Sequence, residues 1–295
     1  MREYYPDFLN FIDEALKLAK KIPRYFSKYS NRIYCNHQKL CILVLMQKLK
    51  TTSRGIVSWL RSNSEARLHL GLHRVPVHTT ILRFAKRVSH IIGRLLAIRR
   101  ATTVAVDGTG FELESKSYYY RTVWNQEKKK RKNFLKLSIA ADTKKQIILT
   151  YKIRRKLRHD TVDFKNLLKQ LNVDYVVADK GYDSNSNREF VLYTLKAIPF
   201  IPYRRFSGVY KFSGGARLKF DEKIYHQRSK VETIFSVIKK KYGSVVRSRS
   251  FVTQKAELVS KLIAYNIDRM SIFILRIAPQ LKSESFIYPS IPDIV

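Results

Sequence analysis

Hydrophobic positions recur at helical spacing through the first hundred residues. In EYYPDFLNFIDEALKLAKKI (3–22), Phe8, Phe11, Ile12, Ala15, Leu16 and Ala19 fall at i, i+3, i+4 intervals, which predicts an amphipathic helix. CNHQKLCILVLMQKLK (35–50) is apolar and helix-prone, and TTSRGIVSWLRSN (51–63) opens on hydroxyl residues suited to an N-cap. VPVHTTILRFAKRVSHIIGRLLAIRR (75–100) sets Thr79 or Thr80 ahead of a long periodic run. At Thr102 the texture changes. TTVAVDGTGFEL is a β-branched run that breaks at Gly108 and resumes, and KSYYYRTVW (116–124) follows. NFLKLSIAADTKKQIILTYKI (133–153) places the polar turn Asp142–Lys145 between two apolar runs, a hairpin. HDTVDFKNLLKQL (159–171) reads as a helix with Asp160 as N-cap and Asp163 three residues on. VDYVVAD (173–179) is a short strand, and AIPFIPYRR (197–205) is another whose prolines suit a sheet edge. YHQRSKVETIFSVIKKKYG (225–243) and FVTQKAELVSKLIAYNIDRMSIFIL (251–275) are long helices, and the last twenty residues are expected to lie along the surface.

Strand, hairpin, helix, strand, then C-terminal helices is an α/β order. The first three strands pair as an antiparallel meander and the next joins by a crossover, which gives a mixed sheet. The expected organisation is a helical region over 1–100, an α/β domain over 101–275 and a tail over 276–295.

Charge narrows the partner. The chain of 295 residues has 58 Lys and Arg against 23 Asp and Glu, a net charge of +35. A compact body with that charge repels itself, so a polyanion is the first partner to consider. The excess is not a tail: residues 1–100 hold 20 basic and 5 acidic side chains, a net of +15. Arg83, Lys86, Arg87 and Arg94 stud the second of two helices joined near Ser62–Thr79. That pattern suits a helix-turn-helix-like DNA reader, or equally a bundle with a solvated basic face. The apolar run Cys41–Met46 is far too short to span a bilayer, and no secretory pattern opens the chain. Cys35 and Cys41 are not in a Cys-x-x-Cys pair, so they read as small core residues in a reducing cytoplasm.

Scarce acids are informative in so basic a chain. Asp107 ends the run Val104-Ala105-Val106 beside Gly108, and Asp179 ends Tyr175-Val176-Val177-Ala178 with Gly181 two residues on. Charged groups finish buried strands rarely unless something compensates them. Glu232 is the third acid. At about 100° per residue, Tyr225, Arg228, Glu232 and Lys239 lie within roughly 60° of one another, bordering the sector of Val231, Ile234, Phe235 and Ile238. Three carboxylates from separate elements can hold a pair of Mg²⁺ ions that clamp a phosphodiester, with Arg228 and Lys239 on DNA phosphates and Tyr225 on a base or phosphate. The plainer alternatives are turn and cap roles for the two aspartates and an exposed i, i+4 pair for Glu232. Asp142 is explained by its turn, Asp160 by its cap and Asp183 by a helix start. Glu112 has the opposite strand parity from Asp107, and Glu114 follows it closely.

The spacing Tyr225, Arg228, Glu232, Lys239 resembles the Y-R-E-K signature of DDE transposases from prokaryotic insertion sequences. VDGTGFELESKSYYYR resembles their first-Asp strand, NFLKLSIAADTKKQII the hairpin after it, VVADKGYDSNSNREFV the second-Asp block, and LIAYNIDRM the helix that follows the signature. The likeness spans about residues 75–270. It implies a ribonuclease-H-like core, with Asp107, Asp179 and Glu232 as a triad for two Mg²⁺ (or Mn²⁺) ions, and cut-and-paste transposition of DNA. The implied partners are terminal inverted repeats and target DNA, with a homodimer in the DNA complex and no membrane. The implied place is the prokaryotic cytoplasm. Gly108 stands where many relatives have Ser, and the short step from Asp179 to Glu232 leaves no room for a large β-rich insertion. Lys128, Lys129, Lys130, Arg131 and Lys132 either bind flanking phosphates or form a solvated loop, and Trp124 either stacks on a base or sits in the core. A structure-specific nuclease of the same fold, or a DNA-binding derivative with a dead site, are the other functional expectations.

Overall fold

The computed structural model describes residues 8–96, 99–114, 134–155, 159, 161–203 and 221–283. The expectations for 116–124, Lys128–Lys132, Trp124 and Asp160 lie outside these residues.

Five helices come first: α1 (Phe8–Ala19), α2 (Asn36–Lys48), α3 (Ser53–Ser62), α4 (Ser64–His69) and α5 (His78–Val88). The predicted apolar stripe of α1 is buried at Phe11, Ile12, Ala15 and Ala19, while Leu16 is only partly buried and Phe8, at the helix start, is exposed. Thr52 caps α3 by accepting from the Gly55 amide. Three details differ from expectation. Cys35 is no core residue: it caps α2, its Sγ accepting from the Gln38 amide while the Gln38 side chain accepts from the Cys35 amide. Only Cys41 is buried. The joint between the two basic-region helices contains α4, capped by Asn63. Thr79 and Thr80 sit inside α5, which starts at His78 without a side-chain cap and stops at Val88, giving way to a 3₁₀ turn at Ile92–Leu96.

The sheet contains β1 (Arg100–Leu113), β2 (Phe134–Asp142), β3 (Ile147–Arg154), β4 (Asn172–Ala178), β5 (Ile198–Phe200) and β6 (Val245–Val246). Its order is β3-β2-β1-β4-β5, with β6 added beside the C-terminal end of β1. β1–β2 and β2–β3 are antiparallel, and β1–β4, β4–β5 and β1–β6 are parallel. This is the mixed sheet the element order predicts. β5 carries Pro199 at the edge, where a missing amide is harmless. Gly108 does not interrupt β1; it pairs with Ser138, and the strand, 14 residues in all, runs on to Leu113. The β2–β3 turn is closed by Asp142, whose Oδ1 accepts from the Lys144 and Lys145 amides.

The crossover from β3 to β4 passes through α6 (Thr161–Leu168). Here Asp163 is not an N-terminal capping acid. It is buried and paired with Arg154 of β3 at 2.5 Å, because the helix packs that side onto the sheet. Asp183, expected at a helix start, precedes α7 (Asn185–Glu189) but is likewise buried, in an ion pair with Arg188. The expected long helix at 225–243 is two: α8 (Glu222–His226) and α9 (Ser229–Tyr242). Between them the backbone tightens to i→i+3 hydrogen bonds, Arg228 to Tyr225 and Val231 to Arg228. Gln227 accepts there from Thr143 at 2.6 Å, tying the joint to the β2–β3 turn. A 3₁₀ turn advances about 120° per residue, so Tyr225 loses its phase with the α9 stripe. Finally α10 (Phe251–Ser283) runs eight residues further than the sequence pattern indicates, into the segment expected as tail.

Two apolar clusters lie on opposite faces of the sheet. Ala105, Phe111, Leu135, Leu137, Ile139 and Val177 face the first cluster, shared with α1–α5, α9 and α10. Val104, Val106, Val176 and Ala178 face the second, covered by α6 and the segment around Tyr182 and Val191. Side chains alternate along a strand, so Asp107 and Asp179 share the parity of Ala105 and Val177. Both therefore belong to the face that α9 covers.

Candidate active site

β1 and β4 run parallel with Val106 opposite Ala178. Asp107 and Asp179 are the next residues, so the two acids stand side by side where adjacent strands end their pairing. In open α/β sheets this is where ligands bind. Each carboxylate is oriented by a backbone amide: Asp107 Oδ1 accepts from Gly108 at 2.7 Å, and Asp179 Oδ1 accepts from Gly181 at 2.8 Å. A Cβ at Gly181 would lie 2.8 Å from Asp179 Oδ1, so the glycine makes room for the carboxylate.

Helix α9 lies along β1. Its apolar stripe, Val231, Ile234, Phe235 and Ile238, is buried against the sheet, as the spacing predicts. Arg228 at its start approaches Asp107 Oδ2 at 3.9 Å, and Lys239 near its end donates to Thr109 Oγ1 at 2.7 Å and lies over the Phe111 ring. Eleven residues of helix rise about 16 Å and the strand from 107 to 111 about 14 Å, so the helix follows the strand in the same direction. Thr109 is the partner that sequence reasoning missed. Its strand parity with Asp107, two residues on, was the available signal.

Glu232 lies one helical turn from Arg228 and is held by it at 2.7 Å. Its side chain is 55% exposed against 19% for Asp107. Arg228 thus bridges Asp107 and Glu232. Among the described residues no three His, Cys, Asp or Glu side chains already stand close enough to hold a metal ion. Glu232 turns toward the guanidinium instead. Tyr225, one tight turn earlier, is half-buried against the first cluster and contributes to the field at Arg228.

The electrostatics are those of an under-compensated acid group. Burial pushes Asp107 up to about 6 against the pull of the Gly108 amide and Arg228, and Asp179 and Glu232 push the same way as burial. Burial alone would lower Arg228, but Glu232, Tyr225 and Asp107 together raise it. One guanidinium reaches two carboxylates, Asp107 and Glu232, and Asp179 adds a third negative charge beside Asp107. The donor set is oxygen-only and short of positive charge, which is the chemistry a hard divalent cation satisfies.

A helix long and apolar enough to cross a membrane is absent among the described residues. No curated protein matches the sequence significantly. Among solved structures, the cryo-EM structure of the piggyBac transposase synaptic complex with hairpin DNA aligns at a TM-score of 0.51. It covers 94% of this chain and 74% of that one at 10% identity, a likeness of fold. Residues 99–267, from the start of β1 to the middle of α10, match the family described as the transposase DDE domain. Members of that family use divalent metal ions. The chain, with its ribonuclease-H-like sheet and helical N-terminal region, belongs to the DDE transposase family and is a nucleic-acid-cleaving transposase.

Proposed function

We propose that this protein binds the terminal inverted repeats of an insertion sequence, one copy of the chain at each end, and cuts and joins DNA by the cut-and-paste route. The observation that carries this reading is the convergence of Asp107 and Asp179 at neighbouring strand ends under a helix whose Arg228 ties Asp107 to Glu232. In this reading Asp107, Asp179 and Glu232 would hold two Mg²⁺ or Mn²⁺ ions, which when bound stabilise the attacking and leaving oxygens of a phosphodiester.

The chain's own residues do the rest. Asp107, with its proton held to about pH 6, is ionised at neutral pH but still strained by its neighbours, so it favours any added positive charge. Arg228 is the movable counter-charge. On exchanging Glu232 for a DNA phosphate it frees that carboxylate to join the other two, and its planar fork suits a phosphate as well as a carboxylate. Lys239, anchored on Thr109, lies along the same strand with its charge unopposed by any acid in ion-pair contact among the described residues. Tyr225 takes a sugar-phosphate or base edge beside Arg228, and Lys128–Lys132 hold flanking phosphates.

The test is a two-part assay with labelled DNA bearing the element's end and Mg²⁺. Nicking at the end and transfer of the freed 3′-hydroxyl into target DNA are expected, both lost in Asp107→Ala, Asp179→Ala and Glu232→Ala. Nicking without joining would make the protein a nuclease of the same fold. Unchanged nicking in Asp107→Ala would refute the triad.

A further inference from the structure

Away from the acids, the loop between α1 and α2 stands against α5 and encloses a concavity of about 380 Å³. Its cationic wall is Lys39, Arg83 and Arg87, and its aromatic wall is Phe26, Tyr34 and Phe84. We propose that this concavity is a nucleotide site: it holds one phosphate of a DNA strand among Lys39, Arg83 and Arg87 and lays the adjoining unstacked base against Tyr34 and Phe26.

Several independent features point this way. The first is unopposed charge. Between Glu14 and Asp107 the chain has a single acid, Glu65. Among the described residues none of the three cations has a carboxylate within ion-pair distance. Lys39 is half-buried, and its burial together with the Arg87 guanidinium holds its ammonium below the ordinary value. Lys39 lies over the Phe84 ring at 5.2 Å, and with the exposed Arg83 and Arg87 it gives the hollow a positive potential that favours an entering anion.

The second is the wall. Its loop is pinned: buried Asn36 donates to the Pro23 carbonyl at 3.0 Å and through its amide to Arg24 at 2.8 Å, while His37 meets the Ile22 carbonyl at 2.9 Å. Ser27, Ser30 and Asn31 close further turns within it. The aromatic surface is therefore presented by a shaped turn. Phe26 leaves 37% of itself exposed although it packs on Phe84 at 6.0 Å between ring centres.

The third is shape. Phosphates of an intact duplex are met by cations on open surfaces, and duplex bases are hidden from aromatic side chains. A concavity with cations on one wall and ring faces on the other matches a strand whose base has left the stack. Strand opening at the ends of an element, or at the target, would supply such a nucleotide. The inference rests on the proposed function only in taking DNA as the polyanion.

The test is metal-free binding of the full chain in EDTA, read by fluorescence anisotropy with a labelled oligothymidylate and with a blunt duplex of arbitrary sequence. Tyr34→Ala is expected to weaken oligothymidylate binding about tenfold and duplex binding little, and Tyr34→Phe to keep it. Arg87→Gln and Lys39→Gln should weaken oligothymidylate and flatten its salt dependence by about one counterion each. Lys86→Gln, exposed on α5 outside the concavity, should do much less. Equal losses in Lys86→Gln and Arg87→Gln, or equal losses for strand and duplex in Tyr34→Ala, would overturn the site. Thermal melting of each variant checks folding; if Tyr34→Ala does not fold, the Lys39, Lys86 and Arg87 comparison decides alone. Because no cleavage is read, an inert triad would leave these outcomes unchanged.

Discussion

The two ends of helix α9 hold acids in opposite ways. At its start, Arg228 reaches Asp107 and Glu232 while Asp179 stands beside Asp107 on the Gly181 amide, and Glu232 is more than half exposed. At its end, Asp268 of α10 is 4% exposed and accepts from Lys48 of α2, Lys241 and the Tyr242 hydroxyl of α9. One carboxylate with three donors is a finished structural joint. Three carboxylates with one guanidinium and two backbone amides are unfinished. The difference separates a residue that holds the fold from residues whose charge the fold leaves partly uncompensated. It also shows how the site is aimed: the satisfied end fixes the helix to α2 and α10, and the unsatisfied end is carried over the sheet.

The largest effect should come from breaking the finished end. Asp268→Ala leaves Lys48 buried with no carboxylate, and burial already holds that ammonium below its ordinary value despite Asp268. A loss of about 3–5 kcal/mol in urea unfolding is expected, since removing one partner strands the other charge. Asp107→Ala should show the reverse, stability equal to or above the parent at neutral pH. If both variants lose stability alike, the contrast between the two ends is wrong.

How far this was readable beforehand follows the same division. The acids themselves were legible, because an Asp after an apolar run is conspicuous in so basic a chain; that Asp107 and Asp179 share a face follows from the observed register of Val106 opposite Ala178. The meander, the crossover and the edge position of β5 followed from alternation and proline. What was illegible depends on contacts between distant segments. Asp163 and Asp183 looked like cap residues, and only packing against Arg154 and folding back onto Arg188 bury them. Asp268 sits in a helical pattern that gives no sign of Lys48, 220 residues earlier. The break before α9 carries a distant pairing too, Gln227 with Thr143, and its i→i+3 hydrogen bonds take Tyr225 out of the phase that a single helical wheel assumes. β6 is two residues long and is a strand only because β1 extends far enough to pair with it.

A second prediction uses metal and pH. The Asp107 carboxyl is raised from 3.8 to about 6 in the folded chain. Between those values the folded state binds more protons than the unfolded one, so stability falls as pH rises from about 4 to about 6 and stays lower above. In Asp107→Asn this fall should be absent, so its advantage in Tm grows across that window. Mg²⁺ should raise the Tm of the parent at pH 7.5, by the equivalent of about 2.7 kcal/mol at a hundredfold excess over Kd, and EDTA should reverse it. Asp107→Asn should gain far less. Equal gains would place the ion elsewhere.

Arg228→Gln sharpens the reading of the unfinished end. Losing the guanidinium removes the one cation that pulls Asp107 down, so the ascending limb of the cleavage pH profile should move to higher pH. Cleavage at neutral pH should fall about 10- to 100-fold, the range seen when a group orienting a metal-bound carboxylate is lost. Arg228→Lys should recover the pH profile but not the full rate, because an ammonium replaces the charge without the fork. An unmoved pH profile in Arg228→Gln would mean that Arg228 acts on DNA alone.

The smallest effect belongs to the finished end. Gly243 stops α9 with φ +90°, donating its amide to Lys239, and its carbonyl accepts from the buried Lys261 at 3.0 Å. A side chain there strains the backbone by about 1–2 kcal/mol, so Gly243→Ala should lower stability by that amount. Glu232 lies eleven residues back, about 16 Å along the helix, and α9 stays fixed by Asp268 in between. Cleavage per folded molecule, measured well below the new Tm, should therefore remain within about twofold of the parent, since the strain is taken up at the helix end. A larger fall in cleavage with the same fall in stability would show that the cap itself aims Glu232, and that the anchored end of α9 is set by its last turn and not by the Asp268 joint.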